Sequence, residues 1–176
     1  MKKIIAALAT FGFCYSVYLG WFLSADPSRP ILAIISEDAY RQVPDFAATA
    51  YLELTEYSLA GQLVEGSPAI PYLATAFDLE GYKNQEVLFL VQRFIEHGAD
   101  IDAMSHGYTA LNGAILANSP ELVELLVALG ADPSIAAQRQ GMKYCNALAS
   151  LEFALCIDGL GKQDLSRVIA VLRAET

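Results

Sequence analysis

The chain has 176 residues, 55% hydrophobic and 18% charged, with a formal net charge of −9. That length holds one modest core, and the apolar content excludes a disordered acidic tail. Phosphate binding needs clustered Lys and Arg, so the charge excludes a nucleic-acid partner and favours a basic protein partner or simple solubility.

Lys2 and Lys3 precede an uncharged run of 20 residues, Ile4 to Leu23. As a helix this run spans about 30 Å, the thickness of a hydrocarbon core. A secretory signal has a shorter apolar region and a small-x-small cleavage site. Leu23, two residues before the best candidate site at Ala25, fits that site poorly. Tyr15, Tyr18, Trp21 and Phe22 gather toward the far end, where aromatic rings favour the membrane interface. Residues 1–25 are therefore read as an uncleaved single-span anchor, with a cleaved signal as the alternative. Phe13 before Cys14 does not suit lipoprotein processing, and Cys14 is read as a buried small hydrophobe.

Lys2 and Lys3 keep the N-terminus cytoplasmic. All 20 acidic residues follow the run, with nine of the 11 basic ones, so the exported part carries −11. The MKK start and plain apolar run look bacterial. They give an inner-membrane protein with its C-terminal domain in the periplasm, or a soluble periplasmic domain after cleavage. A eukaryotic secretory origin stays open.

Asp26 to Pro30 (DPSRP) reads as a stiff linker with two prolines. After the apolar run Ile31 to Ile35, Ser36 with Glu37 and Asp38 reads as a helix start. Pro44 and Asp45 open a second helix, in which Phe46, Ala50, Leu54 and Tyr57 recur at helical spacing. Gly61 and the EGSP stretch, Glu65 to Pro68, end this part. Residues 26–66 are thus a linker and two helices.

Pro71 to Ala76 (PYLATA) opens a helical hairpin whose second half is LVQRFIEHGADID, Leu90 to Asp102. DLEGYK, Asp78 to Lys83, supplies an insertion of about six residues there. The next unit runs from Gly107 to Asp132, GYTALNGAILANSPELVELLVALGAD. Thr109 can cap its first helix, and Pro120 suits the first turn of the second. Leu122, Val123, Leu125, Leu126 and Leu129 make an apolar face of helical period, and Gly130 ends it as a left-handed cap. SLEFA from Ser150 and DLSRVIAVL from Asp164 supply a third hairpin without a GAD ending, as a terminal repeat would.

Two GAD endings with Gly98 and Gly130 32 positions apart, each after an apolar helix, resemble ankyrin repeats. Thr109, Leu111 and Ala114 match the T-P-L-H-x-A start, with Ala110 in place of Pro and Asn112 in place of His. The resemblance implies an all-α ankyrin-repeat solenoid of about three repeats, 67–102, 103–135 and 136–176, closed by the helices of 26–66. It also implies projecting fingers at Ala103–Tyr108 and Pro133–Tyr144, the second longer than usual. Met104, His106, Tyr108, Arg139, Met142, Lys143 and Tyr144 would then line one edge of the stack, with Asn112, as partner-binding residues. The competing reading is a solvated or packed loop.

Catalytic motifs are absent from the sequence: there is no H-x-x-x-H, C-x-x-C, G-x-S-x-G, P-loop or G-x-G-x-x-G. His97 suits the last turn of its helix as a dipole-favoured side chain. Asp100 and Asp102 lie near His106, but GAD aspartates serve turns through Asx-type bonds. Cys145 and Cys156 could pair in an oxidising compartment; on a single helix they would lie roughly 16 Å apart, too far. The expectation is a non-enzymatic binding module without cofactor, metal or small-molecule substrate. It holds a protein partner, for which an immunity protein against a basic toxin is one analogy. The alternative is an accessory subunit of an inner-membrane assembly.

Overall fold

The computed structural model describes residues 2–58, 63–138 and 144–174, with side chains in the first helix from Gly12 onward. Helices α1 (Lys2–Ser24), α2 (Ser28–Ile35) and α3 (Asp45–Leu54) come first. A hairpin follows, β1 (Leu63–Val64) with β2 (Ser67–Pro68). Three helical hairpins complete the described chain. They are α4 (Ala69–Ala76) with α5 (Asn84–Glu96), α6 (Ala110–Leu116) with α7 (Pro120–Ala128), and α8 (Ser150–Gly159) with α9 (Ser166–Ala174).

Each hairpin packs on the next. Helices α4, α6 and α8 form one row, α7 packs on α9, and α2 closes the first end against α5 and α3. One continuous set of buried side chains runs from Leu19 of α1 to Leu172 of α9. The stack of antiparallel helix pairs over residues 84–132 is therefore present. The all-α expectation is adjusted only by the small hairpin, whose Glu65–Gly66 tip has two left-handed residues (φ 51° and 82°). Such a turn matches the twist of paired strands. The EGSP stretch thus opens the first repeat as a finger rather than ending the cap.

Local signals act as their chemistry demands. The Thr109 hydroxyl accepts from the Asn112 N–H at 3.2 Å and Asn112 returns a bond to the Thr109 N–H, a full capping box. Pro120 stands at the start of α7, and Gly98 and Gly130 end α5 and α7 at φ 88° and 95°. The GAD aspartates serve turns: Asp100 accepts from the Asp102 N–H, and Asp102 accepts from the Asp132 N–H of the next repeat, each at 2.9 Å.

The cap departs from the sequence reading in several places. Ser28 to Pro30 are not linker but the first turn of α2, because Asp26 accepts from the Ser28 N–H and hydroxyl and Pro30 sits where no helical N–H is needed. Ser36 does not start a helix. It ends α2, and its hydroxyl accepts from the Ala39 N–H in a local turn. In α3 the core face is Ala48 and Leu52, whereas Phe46, Ala50 and Leu54 face outward. Tyr57 lies past the helix end and is fully buried, stacked on His97 at 4.5 Å and edge-on to Phe94 at 5.2 Å. Arg93 bonds Glu53 at 2.8 Å and Glu96 at 2.7 Å above it, which fastens α3 to α5.

The insertion is a strap. Glu37 N–H donates to Gly81 O, and Lys83 N–H donates to Ile35 O, so residues 77–83 hold the end of α2. Asp78 accepts from the Ser119 hydroxyl at the start of α7, in the next repeat. His97 Nδ1 lies 2.7 Å from Arg93 O at the end of α5, which agrees with its structural assignment.

From Tyr15 onward α1 is packed on the cap: Leu19 and Leu23 are buried, and the Tyr15 hydroxyl donates to Gln42 O. Cys14 is exposed, not buried, since its side of α1 faces away from the cap. Among the described residues no helix is long and apolar enough to cross a membrane, so a span over residues 4–23 rests on the sequence alone.

Cys145 and Cys156 are disulfide-bonded with Cα atoms 5.6 Å apart. The single-helix geometry that separated them does not apply. Cys145 lies in the loop before α8 and Cys156 on its second turn. For a loop of this length, replacing both by Ser should lower stability by about 3 kcal/mol in urea unfolding under oxidising conditions.

Acid sensitivity has a defined source. The Arg93 guanidinium holds the Glu53 carboxyl below its usual range. Ser28, Ser134 and Ser166, through side chain first and backbone N–H second, do the same for Asp26, Asp132 and Asp164. A carboxyl lowered in the folded state contributes stability that is full above its unfolded pKa and lost as pH falls through the folded value. The melting temperature should stay level from neutrality down to about pH 5 and fall below about pH 4, as read by circular dichroism melts.

Candidate functional site

The fingers form a row joined by hydrogen bonds. Ser67 of the first and Ser105 of the second share a hydroxyl bond of 2.8 Å. The second finger closes on itself through Ser105 N–H to Tyr108 O, with His106 and Gly107 left-handed at its tip. Gln138 N–H of the third donates to Gly107 O at 2.8 Å, and Ala137 bridges Leu148 on its return. This row stands along one side of α4 and α6.

Between the fingers and those helices lies an open, mostly apolar groove of about 640 Å³. Tyr72 and Thr75 of α4, Gly113 of α6, and Leu79 of the strap line it opposite Glu65, His106 and Tyr108 of the fingers. Burial, then the nearby Glu65 carboxylate, pushes the Tyr72 phenol well above its usual range, so it stays a neutral donor at all ordinary pH. Thr75 Oγ donates to Tyr72 O at 2.7 Å. Gly113 of α6 and Ala117 at its C-cap, about one turn apart, put small residues along the groove. An apolar or aromatic side chain of another protein fits such a surface, with Glu65 at the rim to meet a cation.

His106 and Tyr108 are the sequence-selected residues that line this groove. Met104 is exposed beside the second finger but outside the lining, and Tyr144 is exposed on the third. Arg139, Met142 and Lys143 lie outside the described residues. Asn112 must be removed from the binding set. It is fully buried, completes the capping box, and donates from Nδ2 to the Ser150 hydroxyl of α8 at 3.3 Å. Tyr72, Thr75, Leu79 and Gly113 were missed. The available signal was Thr75 and Gly113, small residues that lie off the buried face of the first helix of their pairs.

Among the described residues, no three His, Cys, Asp or Glu side chains converge to hold a metal ion. Asp100 and Asp102, once weighed with His106, are both engaged in turns.

The geometry is that of a stacked helical-hairpin scaffold with an open apolar groove. Residues 106–138 match the ankyrin repeat family model, so this mostly helical chain carries an ankyrin repeat. Such repeats are typically non-enzymatic modules of protein–protein interaction. No curated protein and no solved structure matches the chain.

Removing Asn112 separates its role from surface contact. Asn112→Ala should cost roughly 1–3 kcal/mol in urea unfolding, since the Thr109 N–H and Ser150 hydroxyl lose a buried partner. Met104→Ala, at an exposed site, should stay within about 0.5 kcal/mol.

Proposed function

We propose that the chain is an exported, membrane-held ankyrin-repeat protein that binds a basic protein partner in the groove between fingers and inner helices. The observation that carries this reading is the groove itself: apolar, open, uncharged except at its rim, and built from the elements that fix its geometry. The net charge of −9 favours a basic partner, whose association it would accelerate by steering. The disulfide and the apolar run of Ile4 to Leu23 support export to an oxidising compartment, which for a bacterial chain is the periplasm. The packing of Leu19 and Leu23 into the cap supports retention of the segment rather than its cleavage. Within this reading the chain acts as an immunity protein, holding a secreted toxin.

A second reading, an accessory subunit of an inner-membrane assembly, is favoured by the exposed Phe13, Val17 and Trp21 on α1.

Photo-crosslinking from the exposed Thr75 in the groove should trap one basic protein stoichiometrically, and crosslinking from Gln92 on the far helix should not. Equal products from both positions would sink the groove assignment. Because α1 is packed from Tyr15 onward, the two readings are separated by fusing a cleavable export signal directly ahead of Gly12. An inhibitor keeps its function in that variant and a membrane subunit loses it.

A further inference from the structure

The helix stripe that the cap does not use sits beside the apolar run. Phe46, Ala50 and Leu54 recur every four residues on α3 and point to solvent, Phe46 76% and Leu54 86% exposed. They border a second groove, of about 490 Å³, whose other wall is α1 at Gly12, Ser16 and Gly20. No residue lining this groove is charged. On the outer side of α1, Phe13, Val17 and Trp21 are exposed in a matching stripe.

We infer that the α1–α3 face is seated in the lipid bilayer, with the Phe46–Ala50–Leu54 stripe dipping into the acyl boundary. The occupant is identified by three observations. First, the face continues the uncharged run Ile4 to Leu23, and Leu19 and Leu23 are packed into the cap. Any depth reached by that end of α1 is imposed on α3. Second, the carboxylates of α3 are drawn off the face: Asp45 pairs with Lys83 and Glu53 with Arg93, each at 2.8 Å. Third, the Tyr15 hydroxyl at the groove donates to Gln42 O, and Ser and Thr hydroxyls of α1 and α3 are satisfied inside their own helices. Ser16 donates to Gly12 O, Thr49 to Asp45 O and Ser24 to Trp21 O. A surface with its polar groups already bonded and an aromatic edge suits lipid better than water. An amphipathic face of this kind lies about 5–10 Å into the boundary and needs no span of its own.

This inference rests on the membrane attachment proposed above, and one experiment tells the two apart. Trp21 is the only tryptophan of the chain and reports on α1. The full-length Cys14→Ser, Ala50→Cys protein carries a polarity-sensitive fluorophore at position 50, since the remaining cysteines are bonded to each other. It is reconstituted into phosphatidylcholine vesicles with and without brominated acyl chains. Bromine should quench both Trp21 and the label by about two-fold or more, as expected for groups at the acyl boundary. Adding Phe46→Glu and Leu54→Glu should release the label to its aqueous emission while Trp21 stays quenched. A quenched Trp21 with a label open to aqueous iodide overturns the seating of α3 and leaves the attachment intact. An unquenched Trp21 with the protein in the soluble fraction overturns both. A blue-shifted label that bromine does not quench means that protein, a second copy or another chain, covers the face, and also overturns the seating.

Discussion

Everything in this molecule follows from the fact that a single helical hairpin cannot bury its own apolar side. Val87, Leu90, Val91 and Phe94 of α5, or Leu122, Val123 and Leu126 of α7, are dry only because neighbouring helices cover them. The buried set consequently runs unbroken from the first helix to the last. Burial of this kind is the main favourable term in folding, and it gives a repeat stack its end problem. The first end is closed by α2 and by Tyr57, which reaches back from beyond α3 under the Arg93–Glu53 pair.

The polar connections have a different task, which is to fix the register of units that apolar contact alone would let slide. Asp102 bonds the next GAD turn, Asn112 bonds the third repeat, and Asp78 bonds the start of α7. The disulfide does the same for the loop that leads into α8. Together they hold the finger row at a set distance from α4 and α6. A groove that is rigid before its partner arrives loses less conformational entropy on binding.

The two apolar surfaces left over lie at opposite kinds of site. The groove between fingers and inner helices is shaped by side chains of several elements and has an acidic rim at Glu65. The α1–α3 face is bounded by two helices and carries no charge. The Arg93–Glu53 and Lys83–Asp45 pairs fasten α3 to α5 and to the strap.

By itself the sequence determined what depends on near neighbours. The period of Leu122 to Leu129, the Thr109 cap, the left-handed Gly98 and Gly130 and the Asp turns all act within a few residues, and all were readable. The hairpins and the ankyrin resemblance of the middle repeat come from these. The tertiary structure alone decided which residues distant in sequence would meet. It turned the Phe46–Leu54 stripe outward, because α2 covers the other side of α3. It buried Asn112 against Ser150, joined Cys145 to Cys156 across a loop, and made the strap of residues 77–83 a fastening for the cap. Period and capping are set by the local backbone, whereas each of these outcomes depends on the stacking of one hairpin on the next, which no local pattern encodes.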